Sequence, residues 1–279
     1  MSTPSYSNDS AAQAVADRQI DPLNDDKLRQ AAELLLRARR EREPISELPA
    51  GLRPTTLGEA YRLQEIMIST LGPVGGWKVG APSPDAVPLC APMPLLGGFG
   101  QSNVTIGASF SRFRGVEAEI AFRLRSDLPL RERPYSREEV VAAIAGAHPA
   151  IEILEAAFLD PDSADRLSVI GDLQSHGGFV HGAALPDWRD VDFAHESVIM
   201  IVDGVVRIES RASNLAGVDL LRLVTWLANE GQPRTGGLKA GDWITTGSWT
   251  GKVLASAGSE AIARFSTFGD VVVRFADEE

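Results

Sequence analysis

The sequence predicts an α+β protein with a β-rich body and a small helical N-terminal part. From Gly75 onward, glycine and proline interrupt short apolar runs, as in "GGWKVGAPSP" and "PLCAPMPLLGGFGQ", a texture typical of strands and turns. The predicted strands outnumber the helices and do not alternate regularly with them, which argues against a doubly wound parallel sheet. We therefore expect a mobile tail over residues 1–24, a helical part over 25–74 and a β-rich domain over 75–279.

Apolar spacing and capping signals predict four helices. The first is "DKLRQAAELLLRARRERE", ended by Pro44, and the second begins with Thr56 and Glu59. Two more lie in the body, one over 137–147 after a Ser136 capping box and one in "VDLLRLVTWLANEG". Alternating or β-branched runs predict strands over 115–124, 149–154, 178–183, 197–202, 242–247, 260–266 and 270–275.

The composition limits the kinds of molecule that the protein is expected to bind and the compartment in which it is expected to work. The 27 basic and 38 acidic side chains give a net charge of -11, which disfavours nucleic acid and anionic membrane surfaces. Cys90 is the single cysteine, so no intrachain disulfide can form, and we expect it to be a buried spectator thiol. The polar start "MSTPSYSNDS" lacks the apolar region of a signal peptide, and we expect a cytoplasmic protein.

Two glutamates stand one residue apart in the strand "GVEAEIAFRL". Alternation puts Glu117 and Glu119 on one face and Val116, Ala118 and Ile120 on the other. This pattern is typical of a strand with a solvent face. The same geometry brings both carboxylates within reach of one hard cation, so these residues alone leave both interpretations open.

Two other polar residues lie in apolar runs and are candidates for the same site. Glu152 stands between Ile151 and Ile153 in "HPAIEILEAAF", with Glu155 as a nearby competitor. Lys78 lies among glycines in "GGWKVGA", where apolar surroundings would lower its pKa and suit it to acid–base chemistry or to anion binding.

The segments "GGWKVG", "GVEAEIAF", "HPAIEILEAAF", "GDLQSHGGFVHG" and "LKAGDWITTGSWTG", in this order, resemble the 2-keto-4-pentenoate hydratase / 4-oxalocrotonate decarboxylase family. That family belongs to the fumarylacetoacetate hydrolase-like fold group. The resemblance extends to "PTTLGEAYRLQ" and "WLANEG" and so covers most of the chain after about residue 25. It implies that the β-rich domain is catalytic and that the protein is a homo-oligomer built from dimers.

Carried over position by position, the resemblance assigns roles to individual residues. It implies that Mg²⁺ or Mn²⁺ is held by Glu117, Glu119 and Glu152, and that Lys78 is the active-site lysine. The residues implied to line the substrate pocket are Ser175, Ser248, Thr250 and Asp172. The implied reaction is metal-dependent addition of water to a 2-hydroxy-2,4-dienoate in the catabolism of aromatic compounds, giving a 4-hydroxy-2-oxo acid.

Three alternatives accompany this expectation. The same site could decarboxylate a 2-oxo acid of the 4-oxalocrotonate type, or the chain could be a non-catalytic partner subunit. It could also cleave C–C bonds of acylpyruvate-like substrates, but such hydrolases usually use a His/Glu pair, and no histidine precedes Lys78. Two departures from the family pattern concern recognition of the far end of the substrate. Glu155 and Ala157 stand where the family commonly has an Asp and an Arg, and "PLCAPMPLLGGFG" lacks the acidic residue that the family often carries in a "DFG"-like segment. We expect structural roles for the histidines, with His176, next to Ser175, as the exception.

Overall fold

The computed structural model describes residues 22–95, 98–110 and 112–278. Most of the predicted tail, residues 1–21, lies outside the described residues. The described helices are α1 Pro22–Glu41, α2 Leu57–Leu71, α3 Arg137–Ala143, α4 Arg166–Gly171, α5 Leu220–Asn229 and α6 Gln232–Thr235. The described strands are β1 Val74–Gly80, β2 Leu89–Pro94, β3 Phe99–Gln101, β4 Val104–Ile106, β5 Gly115–Leu124, β6 Ile144–Leu154, β7 His176–His181, β8 Ser197–Val202, β9 Val205–Arg211, β10 Trp243–Thr245, β11 Val253–Leu254, β12 Glu260–Phe265 and β13 Gly269–Phe275. The predicted α+β class is confirmed.

The strands form two mixed sheets. The larger has the order β2-β1-β10-β5-β6-β7-β3, with β11 paired to one end of β5, and the smaller has the order β4-β13-β12-β8-β9. In the larger sheet β1 runs parallel to β10, and β5 runs antiparallel to both β10 and β6. These pairings bring β1, β10, β5 and β6 side by side, although their residues are far apart in the sequence.

Strand β5 is buried on both faces. Val116, Ala118 and Ile120 lie in a hydrophobic core that also contains residues of the smaller sheet, such as Val198 and Val271. The opposite face carries the glutamates and then Ala121, which belongs to a second cluster with Met93, Ala150, Phe179 and Trp243. The face that alternation alone would give to solvent is therefore the lining of an internal site.

The N-terminal helices pack as an amphipathic pair. Leu28 and Leu35 of α1 share a hydrophobic cluster with Leu63 and Met67 of α2, and this cluster continues into the body at Phe158. This cluster crosses the predicted domain boundary between residues 74 and 75, and the division of the chain at that point remains a proposal. Among the described residues, no helix combines the length and the apolar character needed to cross a membrane.

The sequence-based elements and the structure differ most at residues 137–147. The predicted Ser136 capping box is present, with hydrogen bonds in both directions between Ser136 and Glu139. The helix nevertheless ends at Ala143, and β6 begins at Ile144. Pairing of this segment with β5 overrides the helix propensity of its alanines, because that pairing completes the longest ladder in the larger sheet. By contrast, the predicted bounds of the strand at 115–124 are confirmed.

Cys90 is buried as expected. Its burial raises the pKa of the thiol to about 12, so the side chain is a neutral apolar filler at physiological pH.

The contact between β1 and β10 leaves no room for a side chain at Gly76. A Cβ there would lie 2.1 Å from the backbone oxygen of Trp243. We expect Gly76→Ala to lower the free energy of unfolding by about 1–3 kcal/mol, as overpacking does in well-packed cores. Urea denaturation measures the effect. Gly51→Ala is the matched control, since nothing lies within 4 Å of its Cβ position; equal losses for the two variants would contradict the close approach.

Candidate metal centre

Three carboxylates converge on the buried face shared by β5 and β6. Glu117 pairs directly with Glu152 in the ladder, and Glu119 lies one alternate position further along β5. One oxygen from each of the three lies within 4.8 Å of the others. Glu119 is 1% exposed and Glu152 is fully buried. The three predicted metal ligands are thus brought together.

Each carboxylate is held by neighbouring protein groups. Glu119 accepts a hydrogen bond from the Thr245 hydroxyl and another, at 3.0 Å, from the backbone N–H of Gly247. Glu117 is hydrogen-bonded to Ser248. The Oε1 atom of Glu152 accepts from Lys78, while its Oε2 atom is buried without a hydrogen-bond partner among the described residues. The arrangement leaves lone pairs of the carboxylate oxygens directed at a common point.

Lys78 is the cation of the site. It pairs with Thr245 across β1 and β10, and Thr245 pairs with Ala121 of β5, so Lys78 reaches the carboxylate face from two strands away. Its Nζ donates to Glu152 Oε1 at 2.7 Å and to the backbone oxygen of Gln174 at 3.1 Å. An ammonium group has three N–H donors, so one remains for another acceptor.

Burial and mutual repulsion control the charges of the carboxylates. Burial, reinforced by the charge of Glu152, raises the pKa of Glu117 to about 7 and places the pKa of Glu119 well above its usual range. Burial also opposes ionisation of Glu152, but Lys78 and His176 outweigh it and lower the pKa of Glu152.

The expectation of a lowered pKa for Lys78 is wrong. Burial does act in that direction, but the charges of Glu152, Glu117 and Glu119 act against it and raise the pKa above its ordinary value. The sequence showed the apolar neighbours of Lys78 but not the three carboxylates that face it. Lys78 is therefore an ammonium group in this arrangement of side chains.

The three glutamates fit a divalent cation. With all of them ionised and Lys78 protonated, the cluster carries two surplus negative charges in a buried place. Carboxylate oxygens without histidine or cysteine are the hard donors that Mg²⁺ and Mn²⁺ prefer. Ligands about 2.0–2.6 Å from one ion lie at most about 5 Å apart, which agrees with the measured convergence.

Asp172 and Ser175 lie in a strained turn beside the carboxylates. Leu173, Gln174 and Ser175 have φ values of 54°, 52° and 59°, a left-handed conformation that costs a non-glycine residue of order 1–3 kcal/mol. Asp172 is buried, and its two oxygens accept from Arg39 at 2.6 Å and from the Ala157 N–H at 2.8 Å. Burial raises the pKa of the Asp172 carboxyl, although Arg39 opposes the shift. Since both oxygens are engaged by protein, we infer that Asp172 supports the turn instead of touching substrate.

Ser248 and Thr250 belong to the loop after β10. The Ser248 hydroxyl interacts with Glu117, and the Thr250 hydroxyl accepts from the Ala118 N–H at 3.2 Å, which ties the loop to β5. A role for either residue in binding substrate stays a prediction.

Two more groups contact this site, and one of them was indicated by its place in the sequence. His176 Nδ1 lies 2.8 Å from Glu152 Oε1, which agrees with its being singled out as the histidine next to Ser175. Thr245, which holds Glu119, was missed, although it follows Trp243 at the alternate position of a predicted strand. Glu155 does not join the carboxylates: it accepts from the backbone N–H groups of Arg112 and Phe113.

Comparisons with known proteins agree with this fold. No family model matches the chain. A 4-oxalocrotonate decarboxylase of Pseudomonas putida is 29% identical over 161 residues, 57% of this chain. The match spans 59% of the length of that relative. The structure of 4-oxalocrotonate decarboxylase from Pseudomonas putida G7 with magnesium and adipate has a TM-score of 0.78 at 22% identity, covering 92% of this chain and 99% of that one. Fumarylpyruvate hydrolase from Pseudomonas aeruginosa with Mn²⁺ and pyruvate has a TM-score of 0.54 at 17% identity, covering 72% and 89%.

The β-rich body and its structural neighbours define the class: the chain has a fumarylacetoacetate hydrolase-like fold. The sequence relative, named as a 4-oxalocrotonate decarboxylase, confirms the resemblance to the 2-keto-4-pentenoate hydratase / 4-oxalocrotonate decarboxylase family.

A divalent ion should stabilise the folded protein, since it removes the repulsion among the carboxylates. With Mn²⁺ or Mg²⁺ at about 100 times its dissociation constant, linkage adds about 2.7 kcal/mol. For a chain of this size we expect Tm to rise by about 5–10 °C in a thermal melt.

Glu117→Gln should lose most of this rise. In metal-free protein the same variant should melt no lower than the wild type, because it removes one repelling charge from the cluster. Glu33→Gln, on the exposed side of α1, is the control that keeps the full rise. An undiminished metal response in Glu117→Gln would contradict the ligand assignment.

Proposed function

We propose that the protein is a metal-dependent lyase that adds water to a 2-hydroxy-2,4-dienoate and so forms a 4-hydroxy-2-oxo acid. One observation carries the proposal: a lysine whose side chain is only 14% exposed is hydrogen-bonded to one of three converging carboxylates. This combination supplies a proton donor beside a place for a divalent cation. Bound small acids in the structural neighbours, adipate and pyruvate, support a small carboxylic acid as the ligand.

Glu117, Glu119 and Glu152 would hold Mg²⁺ or Mn²⁺. When bound, the ion would act as a Lewis acid toward the carboxylate and 2-oxygen of the substrate, where enolate charge develops. The protein contributes the orientation of the donors: Thr245 and Gly247 fix Glu119, and Lys78 fixes Glu152.

Lys78 would deliver the proton that converts the dienol to the keto form. Its third N–H is not used by the two described acceptors, and it would donate to the terminal carbon of a dienoate bound beside the carboxylates. Lys78 would give one proton to C5 and take one back from the 2-hydroxyl, so the proton count is unchanged. Water then adds to the C3–C4 bond, with the hydroxyl on C4 and the hydrogen on C3.

Two further groups are available to bind the substrate or the water. Gln174 Nε2 and His176 Nε2 are buried without hydrogen-bond partners among the residues that the structure describes. Both belong to the turn that also supplies the acceptor for Lys78. We propose that they, with Ser248, make polar contacts to the bound acid.

Decarboxylation of a 4-oxalocrotonate-type acid is the second candidate. Both the sequence relative and the structural neighbour in complex with magnesium are named as 4-oxalocrotonate decarboxylases. The chemistry needs the same electron sink, because the electron pair left by departing CO₂ moves to the 2-oxygen and gives a dienolate. The two reactions meet at this dienolate: decarboxylation forms it by breaking a C–C bond, whereas hydration starts from its protonated form and adds water.

We also propose that the protein works in the cytoplasm in the catabolism of aromatic compounds, as a homo-oligomer built from dimers. The single cysteine and the net charge of -11 support a place away from oxidising compartments and from anionic surfaces.

Incubation with 2-hydroxypenta-2,4-dienoate and, separately, with 4-oxalocrotonate separates the candidate reactions. Hydration gives 4-hydroxy-2-oxopentanoate without CO₂, and decarboxylation releases one equivalent of CO₂. Cleavage of an acylpyruvate such as fumarylpyruvate would indicate the hydrolase alternative. We expect turnover of the dienoate in the presence of Mg²⁺ or Mn²⁺; turnover of none of these acids would contradict the proposed function.

Lys78→Met should lower kcat by about 10²–10⁴-fold, the usual contribution of a positioned acid–base group. The side chain keeps its length and loses its N–H donors, so KM should change much less than kcat. Steady-state kinetics on the better substrate measure both. Lys239→Met, which changes an exposed lysine, is the control; a kcat for Lys78→Met within tenfold of the wild type would rule out the assigned role.

A further inference from the structure

Arg39 reaches from α1 to both ends of the strained turn beside Lys78. Its Nε donates to Asp172 Oδ1 at 2.6 Å and its Nη2 to the Asp172 backbone oxygen at 2.9 Å. Its Nη1 donates to the His176 backbone oxygen at 2.8 Å. The side chain is only 13% exposed. One planar guanidinium thus closes the turn from its first residue to its last.

The turn held in this way serves the candidate active site. The Gln174 backbone oxygen, at its middle, accepts from Lys78 at 3.1 Å, and the His176 side chain, at its end, lies 2.8 Å from Glu152. Three consecutive left-handed residues persist only where surrounding contacts determine the conformation. Without those contacts the Gln174 oxygen would move away from Lys78.

The anchor at Asp172 is itself fixed. The Asp172 carboxylate is fully buried and accepts a hydrogen bond from the N–H of Ala157, which lies in the segment just after β6. A guanidinium matches this buried carboxylate and two carbonyl oxygens at once, whereas an ammonium group cannot present three donors in that planar geometry. Arg39 therefore contributes shape as well as charge.

We infer that Arg39 is a positioning residue, which fixes the 172–176 turn so that Gln174 and His176 hold Lys78 and Glu152 in place. The inference rests on the proposed function only for its effect on turnover. It makes the N-terminal helix α1 part of the active site's support, although the three carboxylates themselves come from β5 and β6.

Arg39→Ala tests the inference with two readouts on the full-length protein. We expect kcat to fall by about 10–100-fold, the usual effect of removing a residue that orients an active group. We also expect faster amide hydrogen exchange confined to the 172–176 segment. Millimolar guanidinium should restore part of kcat, because it can occupy the vacated place between Asp172 and His176. Arg40→Ala is the matched control: Arg40 is the next residue of α1, 72% exposed, and neither readout should change.

Arg39→Lys keeps the positive charge and is the variant to use if Arg39→Ala does not fold. It should remain at least several-fold below the wild type in kcat, since it lacks the planar set of donors. Wild-type kcat in Arg39→Ala or Arg39→Lys, or loss of activity without faster exchange at 172–176, would overturn the inference. A wild-type protein that turns over none of the candidate acids would refute the proposed function instead, and the exchange measurement would still decide the role of Arg39.

Discussion

The convergence of three carboxylates, two of them buried, beside one lysine is the constraint on which the rest of this structure depends. Ionised carboxyl groups taken out of water must be paired, hydrogen-bonded or protonated. Here Lys78 satisfies one oxygen of Glu152, and Thr245 and Gly247 satisfy Glu119. Burial, together with the repulsion that remains, raises the pKa of Glu119 and Glu117, the mark of a cluster assembled for a further positive charge.

The fold meets this constraint by burying both faces of β5. One side packs on the smaller sheet and gives rigidity, and the other carries the carboxylates. Lys78 comes from β1 through parallel pairing with β10, where Gly76 permits the close contact. The loop after β10 and the 172–176 turn then cover the cluster from two directions. Local strain in that turn is tolerated because Arg39 and Asp172 fix both of its ends.

Much of this site could be predicted from the sequence, but its electrostatics could not. Alternation placed Glu117 and Glu119 on one face, and the order of the neighbouring motifs added Glu152 and Lys78. Alternation could not show that this face is buried, because its cover comes from the loop after β10 and from the 172–176 turn. The predicted direction of the pKa shift of Lys78 was wrong because the carboxylates that raise this pKa lie in other strands. Arg39 and Asp172 are 133 residues apart, so no local pattern joined them.

The central claim is that these three glutamates bind one divalent ion. Anomalous scattering from crystals grown with Mn²⁺ tests it most directly. We expect one strong peak at about 2.0–2.6 Å from an oxygen of each of Glu117, Glu119 and Glu152, with Lys78 still hydrogen-bonded to Glu152. A cluster without a peak at saturating Mn²⁺, or a peak bound by other residues, would contradict the claim.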